Sequence, residues 1–213
     1  GQCIGGILPL LYFMRPNSSR LRMVKAKFDV RAMLRACANG SSELMSNISS
    51  SLISVIYNLQ LLRFAGENGV AAYGTIMYVQ FIFIAMFIGY TIGTAPVIGY
   101  HYGAGNHMEL RNLLKKSVTV VSIAGVLMTA AAWGLAGPLS GVFVGYDMEL
   151  YELTKHAFRM FAFSFLLAGV NIFASSFFTA LNNGGVSAAI SFLRTLVFQV
   201  ASVLVLPVFL GLD

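Results

Sequence analysis

The sequence predicts an all-α protein that crosses a lipid bilayer several times, and three observations carry that reading. The chain is 57% hydrophobic and only 10% charged, with a mean hydropathy of +0.76, far from a soluble domain. Five stretches, 44–62, 68–100, 117–146, 160–193 and 195–212, contain no Asp, Glu, Lys or Arg. About 20 apolar residues suffice to cross the hydrocarbon core as a helix. The runs also lack the apolar–polar alternation over about 10 residues that marks barrel strands, and in lipid a helix satisfies its own backbone amides. Buried helices of a large soluble protein would need polar outer faces, which these segments lack.

Residues 1–14 are apolar but too short to span, and read as the end of a truncated transmembrane helix. Basic residues follow this run instead of preceding it, which argues against a signal peptide. Residues 15–33 form a basic loop. Arg15, Arg20, Arg22, Lys25, Lys27, Arg31 and Arg35 make up half of the chain's 14 basic side chains, with Asp29 the only acid among them. Next to a membrane segment, such a cluster is a positive-inside signal, so the net charge of +6 points to a cytoplasmic membrane surface and not to nucleic acid. Cys3 and Cys37 have no ligand or disulfide spacing and read as structural.

The remainder, 34–213, reads as a membrane lobe incomplete at its end, with five full helices near 34–65, 70–102, 110–135, 150–181 and 186–210. Turn chemistry separates them at 65–69, at 103–106, between Gly137-Pro138 and Asp147, and at Asn182-Asn183-Gly184-Gly185. With the basic loop inside, successive loops alternate. Arg111, Lys115 and Lys116 fall inside, and the acidic connection with Asp147, Glu149 and Glu152 falls outside, while Lys155 and Arg159 are discordant. Segments 70–102 and 150–181 exceed the core thickness and must tilt, bend or protrude; Gly89, Gly93, Pro96 and Pro207 are candidate bends.

The segment from Cys37 to Phe64 is too polar to face lipid. Asn39, Glu43, Asn47, Ser50, Ser54 and Asn58 recur three or four residues apart and share one helical face. A carboxylate at the centre of a membrane helix costs about 2.5–3.5 kcal/mol on insertion scales, so Glu43 should face protein or a water-filled cavity. There it would take up and release a proton, or bind a cation such as sodium with nearby Asn and Ser oxygens; the alternative is a buried structural acid, or one hydrated near the cytoplasmic end. On 150–181, Ser164, Asn171, Ser175, Thr179 and Asn182 form a second polar face, read either as cavity lining or as hydrogen-bonding between helices. Gln80 with Thr91 and Thr94, and Ser187 with Ser191, Thr195 and Ser202, are weaker sets. Arg194 reads as an anchor in preference to a substrate contact. His101, His107 and His156 have no metal-ligand spacing, there is no P-loop, and no nucleophile–base pair emerges, so the sequence does not read as an enzyme.

With these residues in view, the chain resembles the C-terminal half of a bacterial multidrug and toxic compound extrusion (MATE) transporter, from the end of the sixth helix to the end of the eleventh. The resemblance is carried by GTAPVIGYHYGAGNHMELRNLLKKS from Gly93, by NGSSELMSNISSSLISVIYN from Asn39 and by RTLVFQVASVLVLPVFLGLD from Arg194. It implies a six-helix lobe whose last helix is missing here, paired with a missing N-terminal lobe of the same protein in the plasma membrane. It further implies export of small organic, often cationic, compounds in exchange for H+ or Na+ by alternating access, with no cofactor. Glu43 matches the family's seventh-helix acid, the ion-coupling or cation-binding group. Asn39, Asn47, Ser50, Gln80, Asn171 and Ser175 are the cavity or substrate-binding candidates. Asn171 stands where some members place an aspartate, which puts a two-carboxylate sodium site in doubt. A lipid or polysaccharide flippase on a related scaffold is the alternative.

Overall fold

A computed structural model describes residues 2–14 and 29–210, without the side chains of Gln2, Ser42 and residues 206–210. Most of the predicted basic loop, 15–28, lies outside the described residues. The chain divides into two compact units, Gly1–Arg35 and Ala36–Asp213.

The first unit holds helix α1, Gln2–Met14, uniformly apolar with Pro9 inside it, and the opening turn of helix α2, Val30–Gly103. Asp29, read from the sequence only as the lone acid among basic residues, caps that turn. Its Oδ1 accepts from the backbone N–H of Arg31 at 2.9 Å and of Ala32 at 3.1 Å, satisfying donors that a helix start leaves free.

The second unit contains the rest of α2, then α3 (His107–Val144), α4 (Met148–Ala162), α5 (Phe165–Ala180), α6 (Gly184–Ser191), a π-helical stretch (Phe192–Gln199) and α7 (Val200–Leu210). Helix α2 is broken at Gly66, whose φ of 63° and ψ of −156° suit a residue without Cβ. Each arm, 30–65 and 67–103, is longer than the about 20 residues a crossing needs. The expected loop at 65–69 is therefore a one-residue break, and Pro96 sits within helical backbone. Helices α3 and Gly184–Val205 are each long and apolar enough to cross, and α4 and α5, bent by 50° at their junction, are so when taken together. Among the described residues, five segments are thus long enough to cross once the two arms of α2 are counted separately.

The bend in the over-long 150–181 segment falls at Phe163–Ser164, where no Gly or Pro announces it. Three-residue bonds tighten the chain there: Ser164 N–H to Phe161 O at 2.9 Å, and Leu166 N–H to Phe163 O at 3.2 Å. The bend sets Phe165 against Phe83 with ring centroids 5.1 Å apart. Helix α3 runs on past the predicted stop at Pro138 to Val144. Pro138 is exposed while Ala136 and Ser140, on either side, are buried. The ring thus points away from the packed face, and one lost backbone bond is tolerated in a membrane helix.

Three apolar layers join the second arm of α2 to α3, α4 and α5. Ala72, Val144 and Leu150 close one end. Ile76, Val79, Ala132, Ala136, Phe158 and Phe165 form the next layer, and Phe87, Ile98, Leu110, Val121, Phe173 and Phe177 the third. Side chains on the outer faces of these helices are largely apolar and exposed, among them Phe81, Ile82, Met86, Val126 and Leu127. That distribution is what a lipid solvent permits.

Turn residues supply the helix caps. Asn106 accepts from Glu109 N–H, Asp147 from Glu149 and Leu150 N–H, and Asn183 from Val186 N–H. The 103–106 and 181–183 turns share one end of the bundle, since Gly99 faces the carbonyl of Ala180. The 145–147 turn lies at the other end. The discordant Lys155 and Arg159 sit on α4. Lys155 pairs with Glu152 at 3.0 Å and lies over Tyr151, and Arg159 lies 4.9 Å from the Trp133 ring centroid. Both cations are accommodated by neighbouring side chains.

Candidate functional site

The polar face of α2 begins where three helices meet. Asn39 Nδ2 donates to the carbonyl of Thr179 at 3.1 Å. Its backbone touches the start of α6 so closely that a Cβ on Gly184 would lie 2.5 Å from Asn39 Cα and 2.8 Å from its carbonyl oxygen. Gly184 is needed here for this approach, as in close-packed membrane helices generally. Asn39 therefore sits at the level of the 181–183 turn, and Glu43 one helical turn, about 6 Å, above it. The carboxylate lies towards one end of its span, not at its midpoint, and the side chain is exposed.

Further along the same face the polar groups bond to their own helix. Asn47 Nδ2 donates to the Glu43 carbonyl at 2.8 Å, Ser50 Oγ to Ser46 O at 2.8 Å, and Asn58 Nδ2 to Ser54 O at 2.9 Å. This back-bonding is how Ser and Asn side chains meet their hydrogen-bonding need in an apolar setting. Asn47 and Ser50 are exposed, as is Asn171 on α5, and Gln80 is half-buried.

Ser175, read from the sequence either as cavity lining or as a hydrogen-bonding group between helices, is 8% exposed and sits in a cluster of hydroxyls between α5 and α6. Its Oγ lies 2.9 Å from both Ser187 Oγ and Ser191 Oγ. Ser187 Oγ donates to the Ser175 carbonyl at 2.8 Å, and Thr179 Oγ1 donates to Ser187 Oγ at 2.8 Å. Ser175 is thus part of the helix–helix contact. Spacing alone does not separate the two roles, because a three- and four-residue repeat marks any buried helical face.

A feature absent from the sequence reading is a cavity of about 510 Å³ between the arms of α2, beside the break at Gly66. Val55, Leu59, Leu62 and Val70 give it apolar walls, and Asn58 and Glu67 supply its polar groups. Only the Gly66 break brings Glu67 round to Asn58, so no local spacing signals it. Among the described residues, no group of three or more His, Cys, Asp or Glu side chains is arranged to hold a metal ion.

Residues 44–205 match the family model described as MatE. A "Probable multidrug resistance protein YoeA" from Bacillus subtilis (strain 168) is 25% identical over 148 residues, 65% of this chain and 32% of that protein. Two solved structures share the fold over 99% of the chain at 19% identity. One is a MATE in complex with MaL6, at a TM-score of 0.90; the other is an outward-facing multidrug resistance MATE family transporter of the MOP superfamily, at 0.88. The chain spans 48% and 47% of those two chains, and about a third of the curated relative.

Proposed function

Because the chain belongs to the MatE family, we propose that it forms most of one lobe of a secondary antiporter that exports organic, often cationic, compounds in exchange for protons or sodium. The observation that carries this reading is Glu43, a carboxylate on the polar face of a membrane-spanning helix, one turn from a three-helix junction. An acid so placed can hold either H+ or a metal cation, and release it when the lobe reopens to the other side. The multidrug relatives and the cavity beside Gly66 support organic compounds as cargo.

In this reading the chain works together with an N-terminal lobe in the plasma membrane and needs no cofactor. Asn39 anchors α2 to α5 and α6, so Glu43 is held in register with them. Asn47, Ser50 and Asn171, all exposed, provide the polar lining that faces the other lobe.

Efflux by the whole transporter from vesicles loaded with ethidium, under pH and sodium gradients imposed separately, tests the proposal. At least one gradient should drive ethidium out against its concentration. Downhill leakage with no response to either gradient would refute antiport.

A further inference from the structure

We propose that the seam between α3 and α4 holds the headgroup of an anionic phospholipid, with Arg159 as its phosphate-binding cation and Trp133 as the ring that seats that cation. Such a site requires only that these helices lie in a bilayer, and is independent of the coupling role of Glu43.

Tyr151, Lys155 and Arg159 are four residues apart and form one row on α4. The row runs along α3. A Cβ on Gly137 would lie 3.5 Å from the Tyr151 hydroxyl, and Arg159 Cζ is 4.9 Å from the Trp133 ring centroid. Arg159 is also the last charged residue before the charge-free run 160–193. Measured along the bent crossing, residues 160–181 between Arg159 and the turn at the other end of the bundle make about 33 Å of helix. The hydrocarbon core is about 30 Å thick. Guanidinium and indole thus stand where hydrocarbon gives way to headgroups, the level that Trp, Tyr and long cationic side chains favour.

The protein leaves the charge of Arg159 without a counter-ion. Lys155 is held by Glu152 at 3.0 Å, and among the described residues that is the only ion pair within 4.0 Å. Arg159 Nε is buried with no hydrogen-bond partner, while the residue as a whole is half-buried. The Trp133 ring attracts the cation but offers no oxygen to its five N–H donors. Phosphate does, and matches the planar fork with two parallel bonds. Exposed His156, one turn before Arg159, adds a further polar nitrogen to this face. The surrounding surface is apolar: Trp133 is 50% exposed, Met160 61% and Phe163 63%. A ligand that suits both features has an anionic head on a hydrocarbon body, which favours a phospholipid over free phosphate.

The test uses the whole transporter with every tryptophan except Trp133 replaced, in mixed micelles titrated with phospholipid brominated on its acyl chains, which quenches an indole it lies against. Brominated phosphatidylglycerol and phosphatidylcholine are compared within each variant, so any direct effect of Arg159 on Trp133 emission cancels. With Arg159 in place, phosphatidylglycerol should bind about fivefold more tightly, the preference that one cation contributes near an anionic surface. R159Q should bring the ratio close to one, and R159K, which keeps the charge, should retain most of it. K115Q, at the other end of the bundle, should leave it unchanged. Equal midpoints for the two lipids with Arg159 in place, a preference that survives in R159Q, or an equal loss in K115Q would each overturn the inference. Millimolar glycerol 3-phosphate should not relieve the quenching; full relief would mark a site for free phosphate and overturn the lipid assignment.

Discussion

Replacing Ser187 by Ala tests whether the hydroxyl cluster holds α6 to α5. Ser187 is fully buried and its Oγ takes part in three contacts between the two helices: with Ser175 Oγ at 2.9 Å, with Ser175 O at 2.8 Å and with Thr179 Oγ1 at 2.8 Å. Interhelical hydrogen bonds in membrane proteins average about 0.6 kcal/mol, so losing three predicts a loss of about 2 kcal/mol. The partners are not stranded, because Ser175 keeps Ser191 at 2.9 Å and Thr179 can turn its single hydroxyl proton to the Ser175 carbonyl at 3.1 Å. That caps the effect, and Ala removes one atom without opening a large void. Ser202→Ala is the control, since Ser202 is exposed and only bonds back to Phe198 O at 2.7 Å. Its change should stay within about 0.5 kcal/mol. Reversible unfolding of the whole transporter in mixed micelles would measure both. Equal stabilities for the two variants would refute the assignment of Ser187 to the helix contact.

Gly184→Leu should be far more damaging than Gly185→Leu, because Gly185 has open space around a Cβ and Gly184 has the Asn39 backbone; folded yield after detergent extraction compares them. Asp147→Ala removes the cap of α4 and should cost about 1 kcal/mol of stability, with Asp147→Asn or Asp147→Ser recovering most of it. Arg159→Ala should shift the tryptophan emission of a variant in which Trp133 is the sole tryptophan, because the guanidinium covers that ring. Arg159→Lys should shift it less.

The spans were legible because lipid imposes a simple demand: about 20 residues without charge, repeated five times between turn residues. Asn106, Asp147 and Asn183 were equally readable as breaks, and their side chains turn out to cap the helices that follow. Helix shape was less readable. The bend at Phe163–Ser164 depends on Phe165 meeting Phe83, and the passage through Pro138 depends on which side of α3 is packed. Both are decided by neighbours far away in sequence.

The candidate site was half legible for the same reason. The repeat from Asn39 to Asn58 places those residues on one face, but the same kind of repeat left Ser175 open between a cavity wall and a helix contact, and it lies among hydroxyls between helices. Glu67 carried no signal, because the cavity it edges exists only through the break at Gly66.

The central claim is that Glu43 couples ion movement to export, and one measurement addresses it most directly. The whole transporter and its Glu43→Gln variant are reconstituted in proteoliposomes, and ethidium transport is followed while a pH or sodium gradient is switched on. The wild type should accelerate with the driving gradient, and the variant should bind ethidium yet show no response to either ion. Wild-type rates and ion dependence in Glu43→Gln would contradict the account.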